Sequence, residues 1–219
     1  MNYFFRKAGI KDIEFISKVI IEAEKSGSTM IGLANILETD ESTLKEYLIK
    51  ILEEEIDGCE FSLSSFVIAE YNETPVAAFG GWVEGENEDG QPSFVLKSNL
   101  IGFLLPKEKV VALKNKSEAI KGIAIERELQ THQLEYAYVI KEQRGNHLIN
   151  MIIDELLKIA KNQNSSIKKS QVQVFENNTA AVRVYENSGY KITKRVESKN
   201  PETLKYFPFN VKLLMEKEL

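Results

Sequence analysis

The sequence predicts an α/β fold of the α+β kind, a mixed sheet flanked by helices. Three observations lead there. Residues 134–159 read as a buried strand, a turn with one glycine and an amphipathic helix. A second strand, helix and strand follow over 171–196. Two strand-like runs, 65–71 and 75–83, are parted by only three turn residues, which predicts an antiparallel hairpin. Crossover units make parallel neighbours and hairpins make antiparallel ones, so the sheet is mixed.

At 219 residues the chain is long enough to bury a sizeable core. Its 43% hydrophobic and 28% charged content is that of a soluble globular protein. The net charge of -5 argues against a nucleic-acid partner, whose binding surface is usually basic. A single cysteine, Cys59, cannot close an intrachain disulfide. One Cys and two His, His132 and His147, argue against a structural zinc site, and no acidic motif asks for another metal. No signal-peptide pattern opens the chain, and no apolar run approaches the roughly 18 residues of a membrane span. A cytoplasmic protein with no membrane partner is the default expectation.

The elements follow in order. Residues 2–6 carry Tyr3, Phe4 and Phe5 and form a short strand. Asp12 is placed to cap a helix over about 12–24, with Ile13, Ile16, Val19 and Ile20 on its inner face. Residues 29–38 read as irregular. A second helix opens at 39–42 and buries Leu44, Leu48, Ile51 and Leu52. Glu53, Glu54 and Glu55 form its solvated face or help to hold a cationic substrate. The hairpin comes next. Gly80 and Gly81 inside its second strand signal a bulge or a close backbone approach. Residues 84–90 read as an exposed acidic loop. One or two helices are expected within 92–130, an insertion at about 84–130. It serves as a cover over the substrate side, as packing, or as the surface of a homodimer. His132 is read as a polar residue of the entry loop. Then come the central unit, the second unit ending at Ser188-Gly189, and a last strand from Val211.

Two motifs carry a family resemblance. The first is a strand ending at Val139, then Arg144-Gly145-Asn146-His147-Leu148-Ile149 opening a helix. The second is Asn178, Ala181, Tyr185, Gly189 and Tyr190 at the spacing Asn-x-x-Ala-x-x-x-Tyr-x-x-x-Gly-Tyr. The chain resembles the GNAT superfamily of acyl-coenzyme A-dependent N-acetyltransferases over most of its length apart from the insertion. His147 and Ile149 stand where that pattern has glycine, and glycine or alanine. A side chain there disfavours positive φ and crowds a phosphate, though its N–H can still donate.

The resemblance implies a GNAT-like acyl-CoA N-acyltransferase fold in one domain, 1–219, with a helical insertion before the central strand. It implies acetyl-CoA as acyl donor, and a small-molecule or peptide amine as acceptor, attacking the thioester directly. The backbone N–H at Val139 would face the oxyanion. Residues Arg144, Gly145, Asn146, His147, Leu148 and Ile149, with Asn178, would hold the cofactor. Tyr185 would protonate the leaving thiolate. Strand alternation sets Glu135, Ala137 and Val139 on one face and Tyr136 and Tyr138 on the other, and Glu135 is the candidate base. A non-catalytic acyl-CoA-binding domain and a structural or dimerising domain of the same fold are the alternatives.

Overall fold

The computed structural model describes residues 2–219. Its sheet has seven strands in the order β1-β2-β3-β4-β5-β7-β6. They are β1 (Phe4–Lys7), β2 (Phe66–Tyr71), β3 (Thr74–Val83), β4 (His132–Val139), β5 (Lys169–Phe175), β6 (Lys191–Glu197) and β7 (Val211–Glu218). All neighbours are antiparallel except β4 and β5. The mixed sheet is therefore as the sequence predicts.

Hydrophobic alternation explains the two layers. In β2, Phe66 and Ile68 bury against one face of the sheet, and Val67 and Ala69 against the other. A strand apolar on both sides must be covered on both. On the first face lie α1 (Ile13–Glu24) and α3 (Glu41–Glu53), through Ile16, Ile20, Leu44 and Leu48. On the second lies α7 (Leu148–Gln163), through Ile152, Ile153 and Leu156, with α8 (Thr179–Asn187) beside it. Each such side chain, fully buried, contributes about 1.5–3 kcal/mol. Asp40 caps α3 by accepting from Thr43 N–H at 2.7 Å. Residues 53–55 are exposed, as a solvated face requires.

Several local expectations are corrected. Asp12 does not cap α1; its carboxylate accepts from Gly9 N–H at 2.9 Å and pairs with both terminal nitrogens of Arg6 at 2.6 and 2.8 Å. Residues 29–38 contain a short helix, α2 (Gly32–Leu37), whose Ala34, Ile36 and Leu37 are buried. The hairpin turn has two residues, Asn72 and Glu73, both at positive φ (49° and 60°), as a tight primed turn needs. Glu84 is no exposed loop residue but 2% exposed; it accepts from Trp82 Nε1 at 3.0 Å and Ser93 N–H at 2.7 Å. His132 opens β4, buried, with Nδ1 2.9 Å from Ser170 Oγ, which lies 2.7 Å from the Tyr190 hydroxyl. Burial pushes its imidazole down to about 4.

The inserted segment holds three helices, α4 (Ser93–Leu104), α5 (Lys107–Asn115) and α6 (Ser117–Lys121). They pack on α3, on α2 and on α9 (Thr203–Tyr206), a short helix between β6 and β7. The insertion thus covers the α1 side of the sheet.

Candidate active site

Strands β4 and β5 pair only at His132↔Ser170, Gln133↔Gln171 and Leu134↔Val172. Beyond Leu134 they part. An irregularity begins two residues on. Ala78 faces Tyr138 and Gly80 faces Glu135, so Phe79 alone opposes both Tyr136 and Ala137. This is a β-bulge, which bends and twists the strand that carries the extra residue. Tyr136 sits at φ 65°, a left-handed conformation that costs a residue with a side chain about 1–2 kcal/mol. Packing holds it there. Its ring stacks on Phe61 (centroids 6.2 Å apart, planes 4° apart), and its hydroxyl donates to Glu24 Oε1 at 3.3 Å.

The glycines of β3 make room for β4. A Cβ on Gly80 would lie 2.8 Å from the Glu135 carbonyl oxygen, and one on Gly81 would lie 2.8 Å from His132 Nε2. The Gly80 contact is with backbone at the bulge itself. Gly80→Ala should cost about 1–3 kcal/mol, the usual range for overpacking. A lower denaturant midpoint at unchanged slope would register it.

The bulge also corrects the expected alternation. Glu135 and Tyr136 turn to the same face, the α1 side. Glu135 there pairs with Arg127, whose guanidinium lies 5.0 Å over the Trp82 ring. Ala137 and Val139 pack on the α7 side, and Tyr138 returns to the α1 side. One Glu135 oxygen is engaged by Arg127; the other has no hydrogen-bond partner among the described residues.

The backbone at Val139 faces away from β3. The next residue, Ile140, donates its N–H to Val76 of β3 at 2.9 Å. Successive peptide groups of a strand point to opposite edges, so Val139 N–H points to the edge that β5 has left. The Val139 carbonyl, on that edge, accepts from Arg144 Nε at 3.2 Å.

The turn that follows keeps a glycine-like backbone without the glycine. Gly145 has φ 86° and His147 has φ 57°. His147 thus adopts the left-handed conformation that its side chain disfavours, and α7 starts directly after it. The ring is exposed and makes no capping bond. Leu148 is buried and Ile149 partly buried in the α7-side core, so their side chains point inward. Asn146 ties the turn down by donating to the Gln143 carbonyl at 3.0 Å. Among the described residues, the N–H groups of 145–150 have no carbonyl partner. A run of free donors at the positive end of a helix dipole is an anion site.

The left-handed His147 gives a direct test. His147→Gly should keep acetyl-CoA binding within a few-fold, because glycine adopts φ 57° freely. His147→Val should lose stability, by roughly 1–2 kcal/mol, and loosen the turn. Calorimetric titration with acetyl-CoA would distinguish them; equal affinity in both variants would show that this backbone angle does not matter.

The second motif lies across the gap. Asn178 caps α8, its side chain accepting from Ala181 N–H at 3.3 Å. Tyr185 is 5% exposed, its ring against Phe79 (6.0 Å) and Tyr190 (6.3 Å). Phe79 is the residue opposite the bulge, so Tyr185 lies beneath it on the α7 side. The Tyr185 hydroxyl has no partner among the described residues. It is not sealed either, since the sealed, unpartnered side-chain atoms among the described residues are Glu60 Oε2 and Gln91 Oε1. It therefore reaches solvent. Burial, then Tyr190 and Glu135, raise its phenol well above the ordinary range.

The sequence reading missed the charged surroundings of Glu135. Glu60, fully buried, accepts from Lys97 of α4 and, at 3.4 Å, from Arg127; Arg127 also donates to Ser93 Oγ at 3.1 Å. These residues come together only in the fold. The one sequence signal was a charge set in an apolar stretch, Glu60 between Cys59 and Phe61. A separate cavity of about 280 Å³, lined by His132, Gly81, Leu156 and Ala160, lies at the opposite end of β4 and holds none of the predicted site residues.

A sequence model described as "Acetyltransferase (GNAT) family" matches residues 31–190, well over half of the chain. No curated protein sequence matches it. Among solved structures the chain is similar to an N-acetyltransferase from Staphylococcus aureus Mu50, at 13% identity over 98% of this chain and 100% of that one, with a TM-score of 0.65. It is also similar to an agmatine N-acetyltransferase, at 10% identity over 100% of each chain and a TM-score of 0.60. A third likeness is to the aminoglycoside acetyltransferase AAC(6')-Ib in complex with coenzyme A and kanamycin, at 13% identity, 99% and 95% coverage and a TM-score of 0.54. At such identities the likeness is one of fold.

Proposed function

The chain belongs to the GNAT family of acetyltransferases, and from that premise we propose that it acetylates a primary amine by direct attack on acetyl-CoA in a ternary complex. The observation that carries this reading is the division of roles between the two faces at the bulge. Glu135 faces the α1 side with a free oxygen, and Tyr185 lies on the α7 side with a free hydroxyl. The parted edge of β4 runs between them.

In this reading the pyrophosphate of the donor rests on the free N–H groups of 145–150. The pantetheine arm follows the edge of β4 that β5 has left. The thioester carbonyl then meets Val139 N–H, a donor placed where negative charge develops. The amine approaches from the α1 side and gives a proton to Glu135. The lone pair so freed attacks the carbonyl carbon, the carbon–sulfur bond breaks, the nitrogen loses its second proton to solvent, and the thiolate takes the Tyr185 proton. Exchange with solvent resets both groups. A raised phenol pKa keeps Tyr185 protonated, as an acid must be.

Acetyl-CoA at about 100 times its dissociation constant should stabilise the protein by about 2.7 kcal/mol. For a domain of this size that is a rise in Tm of roughly 5–10 °C. Thiol release with a panel of primary amines then reports the transfer. A flat Tm at millimolar acetyl-CoA would remove the donor assignment. A clear rise with no thiol release for any amine would favour an acyl-CoA-binding domain instead.

A further inference from the structure

On the α1 side, the parted strands bear a bowl of charged side chains that act on one another electrostatically. Its walls are the start of the α1–α2 connection, the insertion and the loop between β6 and β7. Six charged side chains are gathered there: Glu24, Glu60, Glu135, Lys97, Arg127 and Lys212. Four of them match one another, Lys97 and Arg127 against Glu60 and Glu135. Two do not. Glu24 accepts from Leu33 N–H at 2.9 Å and from the Tyr136 hydroxyl, and forms no ion pair among the described residues. Lys212 has neither hydrogen bond nor ion pair among them; its ammonium lies 5.3 Å over the Phe175 ring.

These two groups come from different elements, Glu24 from the end of α1 and Lys212 from the start of β7. Lys212 is the register partner of Phe175 at the end of β5. Leu213 and Met215 belong to the α7-side core, so Lys212, one residue before Leu213, faces the opposite, α1 side. The Phe175 ring lies 6.4 Å from Phe207 and 5.9 Å from Phe209. Phe207 reaches the neighbourhood of Glu24, since a Cβ on Gly32 would lie 3.5 Å from Phe207 and 3.0 Å from Glu24 Oε2. An aromatic strip thus joins Lys212 to Glu24. Burial pushes the Lys212 amine down, while Glu135 and Glu24 pull it back up.

We infer that the acceptor is a dipolar amine, an amino carboxylate whose amine turns to Glu24 and Glu135, whose carboxylate meets Lys212, and whose apolar side lies on Phe175 and Phe207. This rests on the acetyl-transfer reading above. Charge balance argues for it. The bowl holds three acids and three bases, and the unmatched pair is one of each sign. A polycationic acceptor would satisfy Glu24 but set a further positive charge against Lys212, and like charges brought together cost several kcal/mol. A dipolar acceptor satisfies both. Phe175, Phe207 and Phe209 add a surface that suits an apolar side chain.

The test uses matched acceptors: L-phenylalanine and L-leucine, their amides, the corresponding amines without a carboxylate, and spermidine. Two readouts are taken, thiol release with acetyl-CoA and stabilisation of the coenzyme A complex by each acceptor. The acids should exceed their amides by about 30-fold or more in kcat/KM, the effect of losing one partner of a buried charge pair. Lys212→Met and, as a second neutral variant, Lys212→Gln should reduce that preference to a few-fold. Lys212→Arg should retain part of it. The acetyl-CoA shift in Tm should persist in all three, which shows that they fold and bind the donor. Amides or spermidine preferred by the unaltered protein, a preference that survives both neutral variants, or acids that neither react nor stabilise the complex would each overturn the inference. Thiol release with amides or spermidine alone would do so while leaving the transfer reading intact. Loss of the acetyl-CoA shift in the unaltered protein would instead bring down the donor assignment on which both rest.

Discussion

Tyr185→Phe should lower kcat by about 10²-fold or more, the usual contribution of a positioned general acid. The affinity for acetyl-CoA and the Tm should change little. The ring contacts with Phe79 and Tyr190 are aromatic packing that phenylalanine keeps. The hydroxyl has no partner among the described residues, so its removal leaves no buried group among them orphaned. Its proton matters when the carbon–sulfur bond breaks, and hardly when substrates bind. An interaction made only in the transition state lowers kcat and kcat/KM together and leaves KM in place. Steady-state thiol release, with single-turnover mixing to separate chemistry from product release, measures this. An unchanged single-turnover rate would remove Tyr185 as the acid, and a raised dissociation constant for acetyl-CoA would make it a binding residue instead.

The parts of the site that were legible in the sequence are those in which one local segment performs one local task. Residues 139–149 and 178–190 are contiguous, and their spacing encodes a strand, a turn and a helix start. Even His147 belongs to this class. It adopts the angle that the motif requires and pays an energetic cost for doing so. What failed was anything that depends on register. Glu135 was placed by strict alternation, and a single extra residue at Tyr136 moved it to the other face. The glycines of β3 signalled a close approach, but the extra residue belonged to β4, and one strand read alone does not reveal its partner. The charged bowl was less legible still. Glu24, Glu60, Lys97, Arg127 and Lys212 come from five separate segments, and in sequence each except Glu60, set between Cys59 and Phe61, looks like a surface charge. The aromatic strip has the same origin: Phe175 ends a strand, and Phe207 lies in a loop beside a short helix that periodicity could not show.

Glu60→Gln should destabilise the protein by about 3–5 kcal/mol at neutral pH, the cost of removing one partner from a buried ion pair. Glu60 is fully buried and faces two cations, Lys97 and Arg127. Glutamine keeps the volume but leaves both without that counter-charge, and Arg127 retains Glu135 alone. For a domain of this size the Tm falls by on the order of 10 °C. The pH dependence separates charge from shape. Burial alone would raise the Glu60 carboxyl, but the charges of Arg127 and Lys97 outweigh it and hold the group down at about 2. Its folded value is therefore depressed below the unfolded one, near 4.3. The stability it contributes is fully present above that unfolded value and is lost as pH falls through about 2. Glutamine does not titrate, so the gap in stability between the two proteins should narrow as pH falls below about 4.3. Urea denaturation of both proteins at steps from pH 7 to pH 2.5 measures it. A gap that stays constant would mean that packing, not charge, makes Glu60 necessary. The paired variant Glu60→Met with Lys97→Met gives a second check. It removes one charge of each sign, and should recover part of the loss, since apolar groups of similar volume replace a buried ion pair with little cost or none.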